Sequence, residues 1–137
     1  MKLYLDASIL MSLFIAEARM NEAHGALEGQ VLIISDFAIA EFSSCVAHRA
    51  RRSEIAIGDA ASVFATFDSW ISRAARRKNL MATDIMTAFG FVRRLDLVLR
   101  TPDAINIAIA QRLGVILFTF DTKMSASARA LGLDVID

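Results

Sequence analysis

"TPDAINIAIAQRLGVILFTFD", residues 101–121, reads as a helix followed at once by a strand, and that succession decides the fold. Thr101 can cap a helix, Pro102 fits its first turn, and Asp103 meets the positive end of the helix dipole there. Between Ala104 and Ala110 only Asn106 interrupts a run of alanines and isoleucines. The pattern predicts a helix over 101–113, buried on nearly every side and closed by Gly114. "VILFTF", residues 115–120, is a continuous apolar run with strand composition that stops at Asp121. A helix and a strand that are both apolar all round belong to a parallel sheet covered on its two faces, because a sheet with one wet face would alternate polar with apolar.

Outward from this stretch the alternation repeats. "KLYL" is a short strand that stops at Asp6; "SILMSLFIAEA", residues 8–18, has helical spacing, and a second helix over 20–29 ends near Gly29. "VLII", residues 31–34, is a buried strand. The helix after it, 37–52, has Phe37, Ala40, Cys45 and Val46 as its expected inward stripe. Residues 55–78 read as one long helix with Val63, Phe64, Phe67, Trp70 and Ile71 inward. Thr83 caps a helix to about Leu95, "KMSASARAL" is a helix closed by Gly132, and "DVI" is a last short strand. At 137 residues the chain can bury a core without staples. The expected fold is α/β: a single domain over 1–137 with a central parallel sheet of four to five short strands, flanked by helices on both faces.

Composition narrows the class further. With 55% hydrophobic residues and a mean hydropathy of +0.47, the chain is richer in apolar side chains than a typical soluble domain, which points to an oligomer. No apolar stretch approaches the roughly 18 to 20 residues of a membrane helix. The N-terminal twenty residues look faintly like a signal peptide, but Asp6 sits inside the would-be apolar region, so the expected location is the cytoplasm. Cys45 is the only cysteine, which excludes an internal disulfide and a thiolate metal cluster; it reads as packing. The net charge is zero, yet ten of the 15 basic residues and only five of the 15 acidic ones lie between Arg49 and Arg100. Such clusters usually form a solvated face, but Arg49, Arg51, Arg52, Arg76 and Arg77 are candidates for contact with a nucleic-acid backbone. The aromatic set Phe64, Phe67 and Trp70 reads as core or dimer contact.

In open parallel sheets a site forms beyond the carboxyl ends of the strands. Asp6 and Asp121 directly follow strands, and Glu41 lies about one and a half turns into the helix after "VLII". Asp103 begins the helix that leads into the last long strand, and the direction of that helix is left open by position alone. Each acid has a bland reading: Asp103 and Asp121 as first-turn acids, Glu41 as a solvated or paired charge. Asp6, at the end of a strand expected to be central, is the least easily dismissed. Ser8 can cap or touch a ligand, and Thr119 shares a strand face with Asp121 and can orient it or simply pack. Four carboxylates brought together repel strongly and call for a cation or shared protons. All-oxygen ligands select Mg²⁺ or Mn²⁺. Asp36, Asp84 and Asp96 read as structural, and His24 and His48 as surface residues.

The ordered set "LYLDAS", "AEF", "TPDAINIAIAQRLG" and "LFTFD" resembles the PIN-domain family, most closely its VapC-type toxin branch, over almost the whole chain. The family's acidic positions fall on Asp6, Glu41, Asp103 and Asp121, and its hydroxyl positions on Ser8 and Thr119. The resemblance implies an endoribonuclease dependent on Mg²⁺ or Mn²⁺, hydrolysing RNA phosphodiester bonds with a metal-activated water. It also implies a homodimer, and inhibition by a small antitoxin whose tail enters the acidic groove. Finally, it supplies the placement of Asp103 opposite the other three acids. Some relatives carry a further acid or amide shortly after the last aspartate; here Thr122 and Lys123 follow, which bears on any second metal site. Two other readings compete: a receiver-like Mg²⁺-binding signalling module, with Asp36 as acceptor and Glu41 unexplained, and a catalytically silent PIN-fold binding protein.

Overall fold

A computed structural model describes residues 1–15 and 18–137. Among these, five parallel strands, β1 (Lys2–Leu5), β2 (Val31–Ser35), β3 (Ala75–Lys78), β4 (Ile116–Phe118) and β5 (Val135–Ile136), form one sheet in the order β3-β2-β1-β4-β5. The helices are α1 (Ala7–Phe14), α2 (Met20–Leu27), α3 (Asp36–Arg51), α4 (Ile57–Ala74), α5 (Ala82–Val92), α6 (Thr101–Leu113) and α7 (Thr122–Ala130). The expected α/β class and parallel sheet are as observed.

The period of two along each strand divides the core between the two faces of the sheet. Leu3 and Leu5 of β1, Leu32 and Ile34 of β2 and Phe118 of β4 face the layer made by α1, α3 and α4. Tyr4, Ile33 and Leu117 face the other layer, where Ala104 to Ala110 of α6 are all buried and Asn106 is the one polar side chain among them. Of the expected aromatic set, Phe67 is core and Phe64 and Trp70 pack half-buried against it; Phe14 packs edge-on against Phe67 at 5.2 Å and Trp70 at 5.3 Å between ring centroids. Helix α6 ends as the sequence predicts, on Gly114 at φ +62°, whose N–H bonds back to Ala110 and Gln111.

Several expectations are corrected. The long helix over 55–78 stops at Ala74, and residues 75–78 become β3, in register with β2 from Leu32↔Ala75 to Ser35↔Lys78. "ARRK" has the composition of a helix tail, but pairing fills the open edge of β2. An edge strand tolerates charge and uses it to discourage further pairing. In α3 the buried face is Ala38, Phe42 and Val46. Ala40 and Cys45 are exposed and Phe37 is only half-buried. Val46 is buried as expected, while the rest of the inward face falls on Ala38 and Phe42; the helix starts one residue earlier than predicted, with Ser35 as its cap.

Arg100, not Thr101, is the N-cap residue of α6. Helix α5 begins after Met81, whose N–H is taken by Asp84, and ends at Val92. Asp84 is also gripped by Arg112 at 2.7 and 2.9 Å, tying α5 to α6. Helix α1 ends at Phe14, and residues 16 and 17 of the helix read over 8–18 lie outside the described residues. Among the described residues, no helix is long and apolar enough to cross a membrane.

Candidate functional site

From β1 the chain steps outward to β2 and β3, then returns across the sheet to β4 on the other side of β1. The reversal leaves a crevice at the carboxyl ends of β1 and β4, the place where open α/β sheets bind ligands. Asp6 follows β1 and Asp121 lies just past β4. Helix α3 starts from the carboxyl end of β2 and carries Glu41. Helix α6 must run antiparallel to the strands in order to deliver the chain to the start of β4, so its first turn, with Asp103, opens on the same crevice. Asp6, Ser8, Glu41, Arg100, Asp103, Asn106 and Asp121 are among the residues lining one cleft of about 210 Å³.

Asp6 is 4% exposed. It caps α1 and accepts from Ser8 Oγ (2.6 Å), Thr119 Oγ1 (2.6 Å) and Ile9 N–H (3.2 Å). Burial pushes its pKa up to about 6, against the pull of these donors and with the help of the Asp121 charge. The two hydroxyls are themselves held. Ser8 Oγ accepts from Phe120 N–H at 2.9 Å and Thr119 Oγ1 from Asp121 N–H at 3.0 Å, so the turn after β4 is fastened to the start of α1. Thr119 thus donates to Asp6 and accepts from the backbone of Asp121.

Glu41 is half-buried, and Asn106 Nδ2 donates to its Oε1 at 2.6 Å. Burial raises its pKa to about 7, with further upward pushes from Asp6 and Asp103. Asp103 is raised by burial and by the Asp121 charge, while Arg100 opposes the shift with its Nε 3.6 Å from Asp103 Oδ2. Asp121 caps α7, accepting from Lys123 N–H (2.9 Å) and Met124 N–H (3.0 Å).

The structure therefore brings together the four predicted acids and the two hydroxyl residues. It does not bring the predicted arginines to the cleft lining. Arg49, Arg51 and Arg52 lie at the far end of α3, with Arg49 eight residues beyond Glu41, about 12 Å along the helix axis. Arg76 and Arg77 lie on edge strand β3, and Arg77 pairs with Asp36. Asp36, the acceptor that a receiver-like module would need, is not among the cleft residues. Among the described residues the cation lining the cleft is Arg100, and Lys123 joins it in the adjoining groove of about 530 Å³ that shares Asp103 and Asp121. Cys45 also lines the cleft, where the sequence suggested packing.

Sequence reasoning missed Asn106, whose signal was present: it is the one polar residue in an apolar run and stands one turn from Asp103, on the same face of α6. Arg100 carried no comparable signal.

In kind, four carboxylates with raised proton affinity at three of them suit a hard divalent cation. As they stand, among the described residues no three His, Cys, Asp or Glu side chains are grouped at ion-holding spacing. The carboxylates are instead engaged by protein donors.

A family model described as PIN domain matches residues 3–130. No curated protein sequence matches the chain. Among solved structures, VapC20 of Mycobacterium tuberculosis, a toxin that cleaves the sarcin-ricin loop, is similar at 22% identity and a TM-score of 0.72, with 91% of this chain and 94% of that one covered. VapBC2 of Rickettsia felis, bound to a promoter DNA fragment, is similar at 15% identity and a TM-score of 0.72, with 99% and 98% covered. A toxin-antitoxin complex of Klebsiella pneumoniae shows 24% identity and a TM-score of 0.61, with 98% and 96% covered. At such identities the likeness is one of fold.

Proposed function

The chain belongs to the PIN domain family, and from that premise we propose that it is a VapC-type endoribonuclease, hydrolysing RNA phosphodiester bonds with water as nucleophile and dependent on Mg²⁺ or Mn²⁺. One observation carries the reading: carboxylates from four separate elements line a single cleft at the switch point of the sheet. Asp6, Glu41, Asp103 and Asp121 are the residues that would hold the ion. When bound, such an ion offsets charge on the phosphoryl group and acidifies a coordinated water.

The chain's own work is preparatory. Ser8 and Thr119 hold Asp6 in one orientation, and burial keeps Asp6 and Glu41 short of a counter-charge at neutral pH. Arg100 and Lys123, at the mouth, would meet the anionic RNA backbone. The similar toxin-antitoxin complexes support a small antitoxin as partner, and we add to the proposal a homodimer acting in the cytoplasm.

The test incubates purified protein with structured RNAs in Mn²⁺, beside EDTA and an Asp6→Asn variant, in which the asparagine can still cap α1. Cleavage is expected in Mn²⁺ alone. Cleavage that persists in both controls rejects the assignment.

A further inference from the structure

We infer that Asn106 is a positioning residue for Glu41, the last link of a closed hydrogen-bonded ring through Ser35, Tyr4, Asn106 and Glu41 that joins α3, β1 and α6. The ring starts and ends on the same helix. Ser35 Oγ, at the N-cap of α3, accepts from Ala38 N–H at 3.0 Å and lies 2.6 Å from Tyr4 Oη. Tyr4 Oη lies 2.6 Å from Asn106 Oδ1, and Asn106 Nδ2 lies 2.6 Å from Glu41 Oε1, a turn and a half along α3 from Ser35. Tyr4, Ser35 and Asn106 are all buried, at 0%, 0% and 2% exposure.

The protons in this ring can be assigned from valence alone. Asn106 also stands 3.1 Å from the carbonyl oxygen of Pro102, which can only accept. The amide nitrogen must therefore face Pro102 and Glu41, and Oδ1 must face Tyr4. Oδ1 cannot donate, so Tyr4 spends its single O–H there, and Ser35 must donate to Tyr4. Both N–H groups of Asn106 are then used, one on the α6 backbone and one on Glu41.

This leaves one Glu41 oxygen fixed against a buried donor and the other directed to the cleft. A lone glutamate on a helix samples several rotamers, whereas this one is held by a side chain that cannot rotate without breaking bonds to three partners. The inference rests on the proposed role of Glu41 as an ion ligand, for which outer hydrogen bonds typically change affinity about 10- to 100-fold.

The test compares the wild-type protein with Asn106→Leu, Tyr4→Phe, Glu41→Gln and the Asn106→Leu/Glu41→Gln double variant. Without metal, NMR relaxation of the Glu41 side chain is expected to show a rigid carboxylate in the wild type and a mobile one in Tyr4→Phe and Asn106→Leu. Mn²⁺ titration calorimetry is expected to show at least tenfold weaker binding in Asn106→Leu, and no further loss when that change is added to Glu41→Gln. Should Asn106→Leu fail to fold, Tyr4→Phe carries the same comparison, because it keeps the amide and removes one of the three bonds that hold it.

Equal Glu41 order in wild type and variants overturns the inference, and so does an Asn106→Leu effect on Mn²⁺ affinity that persists undiminished in the Glu41→Gln background. A wild-type protein that binds no Mn²⁺ overturns the reading of the site as an ion centre, while the order of Glu41 still decides the ring.

Discussion

Asp6 and Glu41 carry the electrostatic cost of the site, and the sign of their shifts makes a stability prediction. Folding raises Asp6 from 3.8 to about 6 and Glu41 from 4.5 to about 7. The folded protein therefore binds more protons than the unfolded chain between pH about 4 and about 7, and its stability falls as pH rises through that window. For Asp6 alone the shift corresponds to roughly 3 kcal/mol. In EDTA, thermal unfolding should show a higher Tm at pH 5 than at pH 7.5, by on the order of 5 °C. Asp6→Asn should raise the Tm at pH 7.5 and flatten the dependence. A Tm that rises with pH over this range would contradict the assigned burial.

Among the elements, β3 and α6 make separable predictions. Strand β3 presents Arg76 and Arg77 at the sheet edge, with Lys78 level with Ser35 at the carboxyl end, and the proposed RNA substrate is expected to reach them. Replacing Arg76 and Arg77 with Gln should lower the slope of log affinity against log salt by about 0.7 for each phosphate that is no longer neutralised. The same change at Arg51 and Arg52, beyond the end of the cleft-bearing part of α3, should alter the slope less; filter binding across a salt series reads both. In α6, nothing lies within 4 Å of a Cβ built on Gly114, so Gly114→Ala meets only the left-handed backbone at φ +62°. It should cost about 1 kcal/mol, measured as a lower urea midpoint without loss of Mn²⁺ binding.

For the molecule as a whole, the proposed ion would couple binding to folding. The crevice exists only when β1, α3, α6 and the turn after β4 are assembled, so an ion held there binds the folded state alone. Mn²⁺ at a hundredfold excess over its dissociation constant should stabilise the protein by about 2.7 kcal/mol. That gain should vanish in Asp6→Asn, as read by thermal unfolding with and without Mn²⁺. Part of the apolar surplus in the composition lies on α5, where Ile85, Met86 and Phe89 are 40%, 61% and 46% exposed. Sedimentation equilibrium checks the proposed homodimer, for which a monomer at all concentrations is the contrary result.

What could be read from the chain itself was whatever a short window records. Apolar runs at the strands, the helical period of 101–113 with its closing Gly114, and acids directly after β1 and β4 are local patterns, and they sufficed for a parallel α/β sheet with Asp6 and Asp121 at one edge. Glu41, a turn and a half into the helix after the second strand, was placed there by the same local reading, and the likeness of the ordered motifs added Asp103. Only the tertiary structure decided that 75–78 is a strand, because its pairing depends on the open edge of β2 more than forty residues earlier. It alone turned Cys45 into the cleft, and it alone closed the ring from Ser35 through Tyr4 and Asn106 to Glu41. A hydrogen bond between side chains 65 or 102 residues apart leaves no periodic trace in either segment. It exists only once the sheet has stacked the two helices against opposite sides of the same strand end.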